Sequence, residues 1–215
     1  MLSEEDNLCE APEKTIILTE GSTDKEILEA TLEALHPELS IYYSFLDFHT
    51  LNVPGGTSAL VNTLKTFISA GVRNRVIAVF DNDTAANDAL RALEKAYLPK
   101  NIKVIELPHL DIARDYPTIG PQGTVNLDIN GLACSIELYF GRDVLTDKHG
   151  NLTPIQWTGY NQGLKQYQGE VINKASLQEK YMAIVKGCIE NSEINPDHDW
   201  APMKSIFREV FNAFT

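Results

Sequence analysis

The sequence predicts an α/β domain, a mainly parallel sheet flanked by helices, with a helical extension at its C-terminal end. Three observations carry that expectation. Between Thr15 and Leu107 short apolar runs alternate with amphipathic stretches, the order a parallel sheet with right-handed crossovers requires. Val76-Ile77-Ala78-Val79-Phe80 is an unbroken apolar run bounded by turn formers, which reads as a strand buried on both faces. At 215 residues and 43% hydrophobic content the chain can bury one sizeable core. The expected division is an arm over 1–13, an α/β domain over 14–140 and a hairpin and helical extension over 141–215.

Residues 1–13, with Glu4, Glu5, Asp6, Glu10 and Glu13, form an acidic arm expected to be flexible. Thr15 to Thr19 is the first strand. A helix from about Asp24 to Leu35 sets Ile27, Leu28, Leu32 and Leu35 on one face, and His36-Pro37 stops it. Ile41 to Phe48 reads as the second strand. Asn52-Val53-Pro54-Gly55-Gly56-Thr57 is a loop into a helix whose apolar face is Leu60, Val61, Leu64, Phe67 and Ile68. Its glycine pair lacks the lysine and spacing of a Walker loop, so it reads mainly as turn chemistry bordering the site.

After Gly71 come the central strand, a helix from about Ala85 to Tyr97 ended by Pro99, and a strand at Ile102 to Leu107. Pro108 to Gly131 loses periodicity and is expected to wrap the carboxyl edge of the sheet as a long loop. Asn130-Gly131 turns into a short helix carrying Ile136 to Phe140. Asp147 to Asn151 is expected to turn a hairpin between Val144-Leu145 and Leu152 to Trp157. Two helices follow, Ser176 to Asn191 with Tyr181, Ile184, Val185 and Ile189 inward, and Pro202 to Phe214 with Ile206, Phe207, Val210, Phe211 and Phe214 inward.

Composition excludes several classes. No apolar run approaches the roughly 20 residues of a membrane helix, and Met1 to Asp6 is acidic where a secretory signal is basic. Cys9, Cys134 and Cys188 lack metal or redox spacing and read as reduced thiols of a cytoplasmic protein. His36, His49, His109, His149 and His198 form no zinc-ligand pair. The net charge of −12 argues against a protein that neutralises phosphates over a basic face. The basic residues Arg73, Arg75, Arg91, Lys95, Lys100 and Lys103 flank the central strand and read equally well as a solvated surface.

The chemistry gathers at strand ends. Asp81-Asn82-Asp83 follows the central strand, and an extended backbone there would turn both aspartates to one side. Two like charges at the lip of a sheet drive one pKa up unless a hard cation such as Mg2+ sits with them. The competing account has Asp83 or Thr84 capping the next helix and Asp81 in solvent. The first strand likewise ends on a carboxylate, Glu20, followed by Gly21 and, four residues on, Asp24 at the helix start. Open α/β sheets bind ligands outside the carboxyl ends of their strands, so Glu20 and the aspartates share one crevice if their strands are neighbours. Glu137, among apolar residues, is either exposed or a buried group needing a partner.

This ordered set resembles the Toprim domain, in which a strand ending in Glu-Gly precedes an Asp-x-Asp after a later strand. Thr19-Glu20-Gly21-Ser22-Thr23-Asp24 is similar to the Glu-Gly-x-x-Asp variant of OLD-family nucleases, and Ser135-Ile136-Glu137-Leu138-Tyr139-Phe140 resembles their downstream acidic motif. Both stretches also resemble the Toprim part of bacterial HEPN/Toprim-associated proteins. The resemblance covers residues 14–140 and implies a Toprim-like, Rossmann-like fold and a Mg2+- or Mn2+-dependent endonuclease. Glu20, Asp81 and Asp83 would be catalytic, and Glu20, Asp24, Asp81, Asp83 and Glu137 would hold metal. The family's lysine beyond the last acidic motif has candidates in Lys165, Lys174 and Lys180, each of which reads by itself as a solvated surface lysine. The implied partners are nucleic acid, DNA favoured over RNA, and a HEPN-like domain or other protein. The implied setting is prokaryotic, antiphage defence.

Two rivals stand beside it. Phe80-Asp81-Asn82-Asp83-Thr84 is also similar to the Asp-x-Asp-x-Thr of haloacid-dehalogenase-type phosphatases, where the first Asp is a nucleophile. Two strands precede it here, and no Gly-Asp-x-x-x-Asp follows. The other is a non-catalytic partner module that binds metal or nucleotide without turnover, which the acidic balance favours. Topoisomerase chemistry would need a nucleophile among Tyr42, Tyr43, Tyr116 and Tyr139, and primase chemistry a basic channel that the composition does not supply.

Overall fold

Strands and helices alternate through the first half of the chain. The computed structural model describes residues 13–46, 55–93 and 97–215. In order come β1 (Thr15–Leu18), α1 (Ser22–Leu35), the single turn α2 (Pro37–Ser40), β2 (Tyr43–Phe45), α3 (Thr57–Ser69), β3 (Val76–Phe80), β4 (Asn82–Asp83), α4 (Thr84–Leu93) and β5 (Ile102–Glu106). Four of these strands form one parallel sheet in the order β2-β1-β3-β5. The first and central strands are therefore neighbours, with Ile16 to Leu18 paired against Val76 to Ala78. The acidic arm up to Pro12, Phe48 of the predicted second strand, Asn52 to Pro54 and Lys95 lie outside the described residues. The observed second strand is shorter than expected, because Ile41 and Tyr42 form an exposed turn after α2.

The sheet is buried on both faces, as the apolar run of β3 requires. Its alternate residues divide between two cores. Ile77 and Val79, with Ile17 of β1, pack under Ile27, Leu28, Leu32 and Leu35 of α1. Val76, Ala78 and Phe80, with Leu18, pack under Leu60, Val61 and Leu64 of α3 and Ala86 and Leu93 of α4.

The second half departs from the sequence reading in two places. Pro108 to Gly131 is not a long loop. It holds a 3-10 turn (Ile112–Asp115) and an antiparallel hairpin, β6 (Tyr116–Gly120) and β7 (Gly123–Leu127), closed at Gly120-Pro121-Gln122-Gly123. The prolines and glycines that mask its periodicity sit at the strand ends and turn, and Gly123 takes φ +103°. β8 (Ala133–Cys134) pairs with β4, and a 3-10 turn (Ile136–Tyr139) leads to α5 (Arg142–Leu145). The second departure lies there. Val144-Leu145 is helical, and the turn at Asp147 to Asn151 closes only a Thr146–Leu152 bridge. β9 (Ile155–Asn161) instead pairs with β10 (Gln166–Val171) and, in parallel, with β6, giving a second sheet of order β10-β9-β6-β7.

Two helices finish the chain, α6 (Lys174–Asn191) and α7 (Ala201–Asn212), and both pack on the α1 side. Their buried stripes are Leu177, Tyr181, Val185 and Cys188, then Met203, Ile206, Phe207 and Val210. Tyr181 stacks on Phe140 with ring centroids 4.3 Å apart, and its hydroxyl shares a 2.9 Å hydrogen bond with Thr31 Oγ1 of α1. The core thus runs unbroken across residue 140. His198, fully buried, bonds Asp143 through Nδ1 at 2.7 Å and meets Trp200 edge-on, tying the α6–α7 connection to α5. Cys134 and Cys188 are buried free thiols. Among the described residues no helix is long and apolar enough to cross a membrane.

Gly141 joins the 3-10 turn to α5 at φ +85° and ψ 153°, a region open essentially only to glycine, and a Cβ there would run into the Asp199 carbonyl. Gly150, at φ +86°, has open space around it. Gly150→Ala should therefore cost about 1–2 kcal/mol, and Gly141→Ala at least about 1 kcal/mol more, read as the difference between their denaturant midpoints. Equal losses would contradict the packing described at Asp199.

Candidate functional site

Glu20 stands two residues beyond β1, Asp81 directly beyond β3, and the two strands are adjacent, so both carboxylates emerge at the same carboxyl edge. Glu20 is clamped. Thr57 Oγ1 donates to its Oε2 at 2.6 Å, the Asp81 N–H donates to its Oε1 at 3.0 Å, and the Gly56 N–H holds its backbone carbonyl at 2.6 Å. A Cβ on Gly55 would lie 3.0 Å from that carbonyl. The glycine pair thus serves close approach of the loop to Glu20, and Gly56 turns at φ +104° to start α3. Asp24, at the third position of α1, reaches back to the Gly21 N–H at 2.9 Å.

Asp83 takes the capping role foreseen for it. Its Oδ1 accepts the Ala86 N–H at 2.7 Å at the start of α4, while β4 pairs with β8. The backbone stays extended at Asn82–Asp83, where β4 leaves the parallel sheet to pair with β8. Buried Asn82, between them, accepts the Gly131 N–H on Oδ1, and its amide nitrogen has no hydrogen-bond partner among the described residues.

Glu137 comes from 54 residues further along the chain and is 2% exposed. Its Oε1 accepts from Gln178 at 2.7 Å, its Oε2 accepts from Ser135 at 2.5 Å and faces Lys174 Nζ at 3.6 Å. Lys174 and Gln178 lie four residues apart on α6, one stripe over from Leu177 and Tyr181, and so meet the same carboxylate. Lys174 stays partly exposed, and in addition α6 docks on α1 and carries its ammonium to the acids. Lys180 instead bonds the Asp143 and Val144 carbonyls, and Lys165 stands in the β9–β10 turn at φ +57°. Arg75 and Lys103 lie by the Phe214 ring at the amino ends of β3 and β5, the opposite edge of the sheet.

Electrostatics bind the five acids into one system. Burial, then Glu20, Asp24, Asp83 and Glu137, pushes Asp81 well above the usual carboxylate range. Burial with Glu137 and Glu20 pushes Asp24 up to about 7. Burial also raises Glu20 and Asp83 against the hydrogen bonds that favour their ionised forms. Burial pulls Lys174 down, but Glu137, Asp81, Glu170 and Asp24 outweigh it and hold its pKa above the ordinary value. Among the described residues none donates a hydrogen bond to the Asp81 carboxylate or to Asp24 Oδ1, and no three of the Asp, Glu, His or Cys groups stand in ready metal-holding geometry. Glu20, Asp24, Asp83 and Glu137 each accept a hydrogen bond from a protein donor.

Of the predicted residues, Glu20, Asp24, Asp81, Asp83 and Glu137 are thus brought within mutual electrostatic reach, and Lys174 alone of the three lysines joins them. Sequence reasoning missed Thr57, Ser135 and Gln178. The signals available were a hydroxyl at the start of α3 and an amide one turn after Lys174. Comparison of the chain with family models, with curated proteins and with solved structures finds no match in any of the three.

A folded-state pKa of about 7 for Asp24 against an ordinary value near 4 means the folded protein binds more protons than the unfolded chain between those values. Stability contributed by this group therefore falls as pH rises from about 4 to about 7. In EDTA the Tm should decline over that interval, and Asp24→Asn, which keeps an acceptor for Gly21, should flatten the decline and raise the Tm at pH 8. An unchanged pH profile in the variant would contradict the assigned burial and repulsion.

Proposed function

We propose that this chain is a Toprim-type nuclease dependent on Mg2+ or Mn2+, with its site at the carboxyl edge of β1 and β3. The observation that carries the reading is the convergence of Glu20, Asp24, Asp81, Asp83 and Glu137, from three separate stretches of chain, on one partly buried edge with the ammonium of Lys174 among them. Such a cluster repels itself, and a hard cation relieves it. The donor set fits that class of ion, since every group is a carboxylate and Asp81 and Asp24 Oδ1 are without protein donors among the described residues. Glu20, Asp24, Asp81, Asp83 and Glu137 are the residues that would hold one or two divalent ions, which would supply Lewis-acid polarisation of a phosphodiester and offset charge on its leaving oxygen.

The chain's own residues have distinct parts in this reading. Thr57 and the Asp81 N–H fix both oxygens of Glu20, so its orientation is set before any ligand arrives. Asp81 is the carboxylate left free to turn toward an incoming group. Lys174, 37% exposed along its side chain, is anchored by Glu137 and presents positive charge toward solvent, where it would meet a phosphate oxygen. Tyr116 and Tyr139 are buried and donate to the Thr153 and Pro108 carbonyls, which argues against a tyrosine nucleophile at either position. The phosphatase reading weakens as well. Thr84 follows Asp83 directly, one position short of the Asp-x-Asp-x-Thr spacing, and its hydroxyl donates to the Tyr167 carbonyl at 2.6 Å.

One observation favours a second reading, a metal-binding module that turns nothing over by itself: among the described residues no three acids stand in metal-holding geometry in this conformation, so that a partner would have to assemble them. Purified protein incubated with supercoiled plasmid and with labelled single-stranded DNA and RNA separates the two. The nuclease reading predicts cleavage with Mg2+ or Mn2+, none in EDTA, and a loss of at least about 100-fold in Glu20→Gln and Asp81→Asn, the order of a removed transition-state contact. Both variants should stay folded, because each removes like-charge repulsion. Cleavage that persists in either variant, or in EDTA, would contradict the site.

A further inference from the structure

The hairpin β9–β10 carries a row of aromatic rings in which Trp157 packs against the margin of the core while Tyr160 and Tyr167 belong to neither the core nor the acidic site. Tyr160 and Tyr167 are directly opposed across the two strands, hence on one face, with ring centroids 5.1 Å apart. Trp157 lies 5.7 Å from Tyr167 on the same row. Tyr160 is 49% and Tyr167 57% exposed. Single exposed aromatics need no explanation, but three rings joined through Tyr167 at the end of a hairpin make a patch. The row is also built. A Cβ on Gly169 would meet Trp157 Cε3 at 2.8 Å, and one on Gly120 would come within 3.5 Å of Trp157 Cδ1, so two glycines make the bed on which the indole lies.

We propose that this row is a stacking platform for the bases of unpaired nucleic acid, placed beside the acidic edge. The inference rests on the nuclease reading and names its substrate class. Three features select that occupant. The platform adjoins the site, because Thr84, next to Asp83, donates to the Tyr167 backbone carbonyl at 2.6 Å. On the opposite face of the hairpin, Asn161 and Gln168 line a cavity of about 620 Å³ with Gly55, Gly56 and Thr57, the loop that clamps Glu20. And the hairpin itself takes no part in the acidic excess. In a chain of net charge −12, residues 151–174 hold Lys165 and Lys174 against Glu170 alone. A protein this acidic gains little from phosphate neutralisation, so affinity for nucleic acid has to come from contacts that do not depend on a basic surface, and stacking of bases on aromatic rings is such a contact. Bases within a duplex have their faces covered and are not available to it.

The test is fluorescence anisotropy in EDTA, where cleavage plays no part, with a labelled oligothymidine of about 20 nucleotides, more than one aromatic platform covers. The same measurement is made with an abasic oligodeoxyribose phosphate of equal length and with a blunt duplex. Oligothymidine should bind more tightly than either. Tyr160→Ala with Tyr167→Ala should weaken it by at least about tenfold, while Tyr160→Phe with Tyr167→Phe stays within about twofold, since the ring and not the hydroxyl carries stacking. Equal affinity for the abasic oligomer, an unchanged double alanine variant, or no binding by the native chain would each overturn the proposal. So would a dimer that the alanine variant dissociates while oligothymidine binding is unaffected, which would assign the face to a second copy of the chain. Native protein that binds oligothymidine in this way but never cleaves it would leave the platform standing and remove the nuclease reading alone.

Discussion

A single hydrogen bond from backbone to side chain joins the two central strands at their carboxyl ends: the Asp81 N–H on Glu20 Oε1. It depends on the pairing of β1 with β3, and it ties the Glu20 carboxylate to the Asp81 backbone. Thr57 completes the hold on Glu20 from the start of α3, so helix, loop and two strands meet at one carboxylate. An arrangement this constrained keeps like charges near one another in partly buried surroundings, and the raised pKa values of Glu20, Asp24, Asp81 and Asp83 are the result. Stability of the sheet tolerates that repulsion because the apolar cores on both faces are extensive and independent of it.

The remaining members of the cluster arrive by long-range packing. Glu137 sits on a turn whose neighbours Ile136, Leu138, Tyr139 and Phe140 are all buried, and the stack of Phe140 on Tyr181 seats α6. Once seated, α6 delivers Lys174 and Gln178 to Glu137. The C-terminal part is therefore more than an appendage, because Lys174, the ammonium found at the acidic edge among the described residues, belongs to it. The same part supplies β9 and β10, which complete a sheet begun by β6 and β7 and carry the aromatic row.

Much of this was legible in the sequence where local signals agree with the fold. The apolar run at Val76 to Phe80, the helical spacing of Ile27, Leu28, Leu32 and Leu35, and the acids at the ends of two strands gave the parallel sheet and its edge. Reading failed where structure is decided by distant pairing. Tyr116 to Leu127 is rich in proline and glycine, and only its partners show it to be a hairpin. Val144-Leu145 looked like a strand and is a helical turn, because the following strand pairs with β6 and β10 instead. Lys174 looked like any surface lysine, since nothing local to it reveals that α6 crosses α1. Asp83 takes the capping role at the start of α4, and its charge also raises the pKa of Glu20 and Asp81.

The central claim is that the acidic edge is a cation site, and the most direct measurement is titration of the metal-free protein with Mn2+ by electron paramagnetic resonance, with proton release followed in a weakly buffered solution near neutral pH. The account predicts one or two bound ions and release of protons from the carboxylates with raised pKa values, both lost in Asp81→Asn. Absence of binding, or binding without proton release that Asp81→Asn leaves untouched, would contradict it.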